Sequence, residues 1–297
     1  ADAMIDSTPL VVISGQVASS LLGSDAFQEA DVVGITQPIT KWAYQIRKPE
    51  DIQWAVARAF YIASTGRPGP VVLDITKDAQ FGSVEQREYL KTAFIRSYQP
   101  KPDVKDSEIE LAVQIINEAK KPLALVGQGV ILGNAEKELL AFLEKSGIPA
   151  ASTVLGLSAV PSDHPLHVGM LGMHGNIGPN RKTNECDVLI AIGMRFDDRV
   201  TGDLKTYAKQ AKVIHFDIDK AEINKNVIVT ARVLGDVKES LPQVTEKITE
   251  KKYPEWLTEF RICDDEEYNF VIKNELYPES GQLKMGEVIN KISEATN

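Results

Sequence analysis

The stretch DVLIAIGMRFDDRVTG, residues 187–202, opens as a nearly unbroken apolar run and closes in glycine followed by interleaved arginines and aspartates. An apolar run without strict alternation is the pattern of a strand in a parallel sheet covered on both faces. Gly193 at its carboxyl end, with Arg195 and Arg199 close behind, stands where open α/β sheets bind ligands. Guanidinium groups suit diphosphate oxygens, because each offers several donors in a planar fork. The competing reading is an Arg/Asp network, through Asp197 and Asp198, that only ties two loops together.

Strands of the same kind recur around it. LALVG after Pro122, residues 149–153, residues 212–217 and a shorter candidate at 228–233 alternate with helical patterns, which is enough for a doubly wound sheet with its own core. The helix expected over 107–120 gathers Ile109, Ala112, Ile116 and Ala119 on one face. A second, capped by Asn134 and ended by Gly147, carries a stripe of Leu139, Leu140, Phe142 and Leu143. Gly127-Gln128-Gly129 follows the first of these strands, but the next glycine, Gly133, breaks the GxGxxG spacing; ligand contact and a plain tight turn stay equally open. Asp217 ends one strand, and Gly235-Asp236 follows another. Each is placed to accept ribose hydroxyls or, instead, to cap a helix. Leu171-Gly172-Met173-His174-Gly175 is a flexible turn suited to stacking against a flat ring. Together these loops are expected to converge on one sheet edge.

Upstream, LVVISG at 10–15 and PVVLDI at 70–75 are the two convincing strands, few for a self-standing sheet. Between them, residues 51–64 put Ile52, Val56, Ala59, Phe60 and Ala63 on a common helical face, and residues 65–70, TGRPGP, stop that helix. Residues 23–29, GSDAFQE, mix capping groups with an aromatic and an amide. Gln28 could reach a polar substrate with Phe27 at a pocket rim, or the segment could simply start a helix. Near 250–279, Trp256, Leu257, Phe260, Tyr268 and Ile272 suggest helical packing. Residues 282–296 carry Leu283, Val288, Ile289 and Ile292 on a last helix.

Composition narrows the function classes. With 33 Lys and Arg against 42 Asp and Glu, the net charge of -9 would repel a nucleic-acid backbone, and no basic patch offsets it. No apolar run reaches the roughly 18–20 residues that span a bilayer, so neither nucleic acid nor membrane is an expected partner. The two cysteines, Cys186 and Cys263, lie far apart, which leaves no disulfide framework and favours a reducing, cytoplasmic setting. His164 and His167 have a passable metal spacing, but Pro165 interrupts it and a structural role is favoured. His215, inside an apolar strand, reads as a buried hydrogen-bonding residue. The chain starts without Met just before LVVISG, the expectation for a cut within a larger polypeptide, although processing would leave the same start.

ISGQV at 13–17, GSDAFQEADVVGITQPITKW at 23–42 and GRPGPVVLDITKD at 66–78 resemble the pyrimidine-binding domain of the acetohydroxyacid (acetolactate) synthase large subunit. GMLGMHG at 169–175 and IGMRFDDRVTG at 192–202 resemble its central flavin-binding domain. The resemblance implies an α/β chain: residues 1–82 the C-terminal portion of a thiamine pyrimidine-binding domain, 83–106 a linker, 107–250 a central Rossmann-like FAD-binding domain, 251–280 a second linker, and 281–297 the beginning of a thiamine-diphosphate-binding domain. It implies carboligation. Thiamine diphosphate adds to pyruvate, carbon dioxide leaves, and the hydroxyethyl group joins pyruvate or 2-oxobutyrate, with magnesium anchoring the cofactor and FAD making no net redox step.

Carried over by resemblance, Arg67, Gly127, Gly129 and Thr153 contact FAD. Leu171, Gly172, Met173 and His174 line the flavin; Gly193, Arg195, Asp197, Arg199 and Val200 serve the ribityl and diphosphate region; Asp217 and Asp236 serve the adenosine side. Gln28 is the catalytic candidate, with Phe27 and Lys77 on the substrate side. Gln128 and Met194 depart from the family in detail near the flavin. The family's activating glutamate falls before Ala1 and its magnesium-diphosphate motif after Asn297, so the chain alone is expected to be catalytically silent and to hold no metal ligand. The implied partners are another catalytic subunit, a regulatory subunit as a candidate companion, and small 2-oxo acids. The alternatives are a related thiamine-dependent carboligase or pyruvate oxidase, and a non-catalytic nucleotide-binding assembly module.

Overall fold

The strand PVVLDIT, residues 70–76, pairs with a neighbour on each edge and is buried along its whole length. The computed structural model describes residues 1–85 and 88–296, and the chain divides into two compact units, Ala1–Lys101 and Pro102–Asn297. In the first unit, β1 (Leu10–Gln16), β2 (Trp42–Ile46) and β3 (Pro70–Thr76) form a parallel sheet in the order β1-β3-β2. β3 is buried throughout and β1 is largely exposed. The sequence pattern points to β1 and β3 but passes over β2, whose WAYQI is a strand because β3 offers it an edge.

The helix Ile52–Ser64 packs on this sheet through Ala55, Ala57, Ala59, Ile62 and Ala63. Phe60 does not join that face as expected: it is 58% exposed, because one helical step from Ala59 carries it off the stripe. Gly66 takes φ +63 at the stop. The carbonyls at the helix end, which have no partner within the helix, are met by the Lys41 ammonium, which donates to Ile62 O and to Thr65 O at 2.7 Å. Tyr98 donates to Thr65 O at 2.7 Å and Ile95 is buried in the core, so part of the segment 83–106 packs within the first unit.

Residues 23–29 are a turn and not a helix start. Gly23, Asp25 and Gln28 all have positive φ, and the Glu29 carboxylate organises the loop by accepting the Gly23 and Ala26 amides. The Gly23 amide foremost holds that carboxyl below the usual range.

The second unit carries β4 (Pro122–Val126), β5 (Ala150–Ser152), β6 (His167–Met170), β7 (Val188–Ile192), β8 (Lys212–Asp217) and β9 (Ala231–Leu234). All pair parallel in the order β6-β5-β4-β7-β8-β9. The first three strands step outward one way and the last three the other, so the order reverses between β4 and β7. This is a mixed α/β fold with a Rossmann-like sheet.

Successive residues enter opposite cores. Ala124, Val126, Ile190 and Ile192 pack with Ile109, Leu139 and Phe142 on one face. Leu123, Leu125, Leu189 and Ala191 pack with Trp256 and Phe260 on the other. Cover on both faces is the physical reason for the unbroken apolar runs.

The helix Asp106–Glu118 buries Ile109, Ala112, Ile115 and Ile116. The helix Glu136–Ser146 starts from Ala135 without a side-chain cap; Asn134 instead takes φ +49 in the preceding turn, which removes it from the capping position. Gly147 ends that helix in the left-handed conformation, as expected. The helix Pro254–Glu267 buries Trp256, Phe260 and Cys263, and Trp256 Nε1 donates to Pro122 O at 2.8 Å. Tyr268 is exposed, and the helix Met285–Thr296 buries no residue. Among the described residues, no helix is long and apolar enough to cross a membrane.

Candidate functional site at the carboxyl edge of the second sheet

In a parallel sheet every carboxyl end lies on the same edge, so strand termini alone locate most of the candidates. Gly127 follows β4, Thr153 follows β5, and Leu171 to His174 follow β6. Gly193 follows β7, Asp217 is the last residue of β8, and Asp236 lies two residues beyond β9. The turn carrying Arg195, Asp197, Arg199 and Val200 belongs to the same edge. The strand order reverses between β4 and β7, beside Gly127 and Gly193, the position at which open α/β sheets take ligands.

Those glycines have a reason of their own. A Cβ on Gly127 would fall 2.3 Å from Gly193 O and 2.4 Å from Met194 Cβ, and one on Gly129 would fall 2.7 Å from Gly193 Cα. Gly127 N donates to Ile192 O at 2.9 Å and Gly129 N to Gly193 O at 2.8 Å, while Gly193 itself has φ +59. The loops after β4 and β7 therefore touch backbone to backbone.

The turn after β7 alternates. Met194 and Phe196 point inward and are buried, and Phe196 meets His215 edge-on at 5.1 Å. His215 Nε2 lies 2.8 Å from Met194 O, which makes it the protonated nitrogen, and its Nδ1 has no partner among the described residues. Arg195 pairs with Asp197 at 3.6 Å. Asp197 Oδ1 accepts the Arg199 and Val200 amides at 3.0 and 3.3 Å, capping the short turn. Arg199 has a side chain that is 70% exposed, with Asp198 3.9 Å away. Asp197 is thus occupied by its own loop, whereas Arg199 extends outward.

The turn after β6 sorts in the same way. Leu171 is buried in the core and Gly172 is enclosed, while Met173, at 61%, and His174 are exposed. Met173 N donates to Arg199 O at 2.8 Å, and Arg199 Nη1 lies 3.7 Å from Met173 Sδ. The loops after β6 and β7 consequently meet across the ends of β5 and β4. Thr153 accepts the Gly156 amide at 3.1 Å, and beside it Val154, Leu155 and Leu157 are exposed apolar residues. Asp217 Oδ1 accepts the Asp219 amide at 2.7 Å, with Oδ2 3.5 Å from His215 Nε2. Asp236 caps the helix Val237–Lys247 by accepting the Lys238 amide at 3.0 Å.

The edge thus offers exposed apolar and sulfur groups for a flat ring, an outward guanidinium for phosphate, and a carboxylate oxygen facing a histidine. Such groups suit a ligand that carries a flat ring and a diphosphate. Among the described residues, no three His, Cys, Asp or Glu side chains converge as a metal site. His164 Nδ1 accepts the Leu166 amide at 3.2 Å, and His167 Nε2 lies 3.4 Å from Ser152 Oγ. Burial holds the His167 imidazole below its ordinary range.

The remaining candidates belong to the first unit. Phe27, 88% exposed, and Gln28, at φ +66, sit in the loop after β1, and Lys77 directly follows β3. All three are on the carboxyl edge of that sheet. Arg67 precedes β3 at the opposite edge, where Nε donates to Ser7 Oγ at 3.0 Å and Nη2 to Ile5 O at 3.2 Å.

Sequence reasoning missed Asp74. It is buried in β3 and accepts hydrogen bonds from Ser14 Oγ (2.8 Å), Gln16 Nε2 (3.1 Å) and Gln45 Nε2 (3.0 Å). A lone Asp inside PVVLDI is the only signal for it. Asn180, whose carboxamide bonds the Gly172 backbone, was missed as well.

Residues 109–244 match the family model of the thiamine pyrophosphate enzyme central domain. The chain is 49% identical to an acetolactate synthase large subunit of Corynebacterium glutamicum, over 83% of this chain and 39% of that protein. It is 47% identical to a probable acetolactate synthase large subunit of Methanocaldococcus jannaschii, over 81% of this chain and 41% of that one. With the chloroplastic acetolactate synthase of Arabidopsis thaliana the identity is 43%, over 90% and 39%. The chain spans about two fifths of the length of these relatives.

Proposed function

We infer that this chain, which belongs to the acetolactate synthase large-subunit family of thiamine pyrophosphate enzymes, serves an enzyme that decarboxylates pyruvate and condenses the two-carbon remainder with pyruvate or 2-oxobutyrate in branched-chain amino-acid biosynthesis. Thiamine diphosphate, held with magnesium in the intact enzyme, supplies the electron sink for decarboxylation. The second unit acts as the FAD-binding domain and the first as a portion of the pyrimidine-binding domain. The setting is cytoplasmic, with another catalytic subunit completing the thiamine site and a regulatory subunit as a further partner.

One observation carries the flavin assignment: a sheet whose strand order reverses between β4 and β7, with the second-unit candidates all on its carboxyl edge. The isoalloxazine ring lies against Met173 and His174, and Arg199 binds the diphosphate. Asp217 Oδ2 accepts a hydroxyl on the adenosine side, where Asp236 closes the edge. Thr153, Gly193, Arg195 and Val200 shape the wall between, and Arg67 is a further candidate for flavin contact. Phe27, Gln28 and Lys77 face the thiamine and substrate side. Support for that placement comes from Gln28, held at φ +66 in an exposed loop, since backbone held outside the common regions clusters at functional sites.

Titration of the chain with FAD, followed by flavin fluorescence, tests the reading. Saturable binding that ADP competes away is expected. Flavin that stays unquenched and elutes apart from the protein would refute it.

A further inference from the structure

We propose that Asn180 is the positioning residue for the flavin ring: its carboxamide grips both backbone polar groups of Gly172 and so sets where Met173 and His174 stand. The proposal rests on the flavin reading above. Asn180 Oδ1 accepts the Gly172 amide at 2.8 Å, and Asn180 Nδ2 donates to the Gly172 carbonyl at 2.8 Å. A side-chain amide presents an acceptor and a donor side by side for such a grip, which an ionised carboxylate does not.

The gripped residue is under constraint from its other side as well. Gly172 has φ +106, and a Cβ there would meet Arg199 O at 2.9 Å. The next amide, Met173 N, donates to that same Arg199 carbonyl at 2.8 Å. Leu171 N is tied to Ser152 O at 3.0 Å, and Asn176 N to Met170 O at 2.7 Å. The loop is therefore fixed at both ends, gripped in the middle by Asn180, and covered by the turn after β7. Met173 and His174 are the side chains that this leaves exposed on the edge. Asn180 stands on the helix Ile177–Thr183, and it acts on the ring only through Gly172.

Two substitutions separate positioning from general stability. Asn180→Ala removes both bonds, and Asn180→Asp keeps the size but turns an oxygen toward the Gly172 carbonyl. Both are expected to weaken FAD binding about tenfold, the scale of two modest hydrogen bonds, while ADP, which lacks the ring, binds within twofold of the parent. Without any flavin, amide hydrogen exchange at residues 172–174 should rise and the urea midpoint of the second unit should fall, as the loss of two hydrogen bonds requires, so it is the contrast between FAD and ADP that separates positioning from stability. A parent chain that binds neither FAD nor ADP overturns the flavin reading and this proposal with it. A parent that binds both, with FAD affinity within twofold in both variants or ADP weakened equally, overturns the proposal alone.

Discussion

Replacing Gly127 by alanine separates two reasons for a glycine at that position. If the residue is kept for ligand approach, alanine should spare the fold and weaken cofactor binding. If the loops after β4 and β7 need it, alanine should destabilise the second unit whether or not a ligand is present. The added methyl would lie 2.3 Å from Gly193 O, 2.4 Å from Met194 Cβ and 2.7 Å from Met194 Cα. Relief requires the two loops to part by about 1 Å, since carbon atoms rest near 3.5–4.0 Å. That movement stretches the bonds from Gly127 N to Ile192 O and from Gly129 N to Gly193 O, each worth about 1 kcal/mol. Overpacking adds about 1–3 kcal/mol, and the smaller entropy of the unfolded alanine chain returns about 0.4–1 kcal/mol. The net loss is about 2–5 kcal/mol, which lowers a urea midpoint by about 1–2 M for slopes in the upper part of the ~1–3 kcal/mol/M range.

Trp256 reports on this unit, because it is buried and bonded to Pro122 O. Trp42→Phe and Trp54→Phe silence the other two tryptophans, both in the first unit. Gly178→Ala is the control: its Cβ would meet Cys263 Cβ at an ordinary 3.4 Å, and in a helix it should hold or raise stability. A Gly127→Ala midpoint equal to the parent's, with FAD affinity lost, would refute loop packing as the reason for this glycine.

Arg199→Ala is expected to leave the urea midpoint unchanged, since the side chain is largely exposed and 3.9 Å from Asp198. It should weaken FAD roughly 10- to 100-fold, the scale of one charge-assisted hydrogen bond; undiminished affinity by fluorescence titration would remove its diphosphate role. The second unit should also lose stability as pH falls below about 6.5. Burial foremost depresses the His167 pKa from its ordinary 6.5, so from that value down to the folded one the unfolded chain binds the extra proton and is favoured. His167→Gln should flatten urea midpoints between pH 7.5 and 5.5, and an unaltered slope would exclude this histidine as the cause.

The strands at β4, β5, β7 and β8 are legible because cover on both faces leaves continuous apolar sequence. β2 and β6 are not. WAYQI and HVGM are short edge strands, and each owes its extended form to one neighbour, β3 and β5 respectively. Phe60 and Asn134 show the limit of local rules: a helical stripe one step wide and a capping residue one place early both look right in sequence. The glycines at 127, 129 and 193 are legible as candidates, but packing between loops, which no linear pattern displays, explains them. Asn180 is invisible for a similar reason, because its partner is the backbone of Gly172 and carries no side-chain signature.

By itself the sequence determined that parallel strands end in glycine-, arginine- and aspartate-bearing turns, and hence that candidates gather at carboxyl ends; hydrophobic periodicity and turn chemistry are local properties. Only the tertiary structure decided the strand order that brings the turns after β6 and β7 together. It also decided that Met173, His174 and Arg199 face outward while Leu171 and Gly172 lie within. Those outcomes come from packing two helical layers against one twisted sheet, where contacts distant in sequence choose among arrangements that local preference leaves equal.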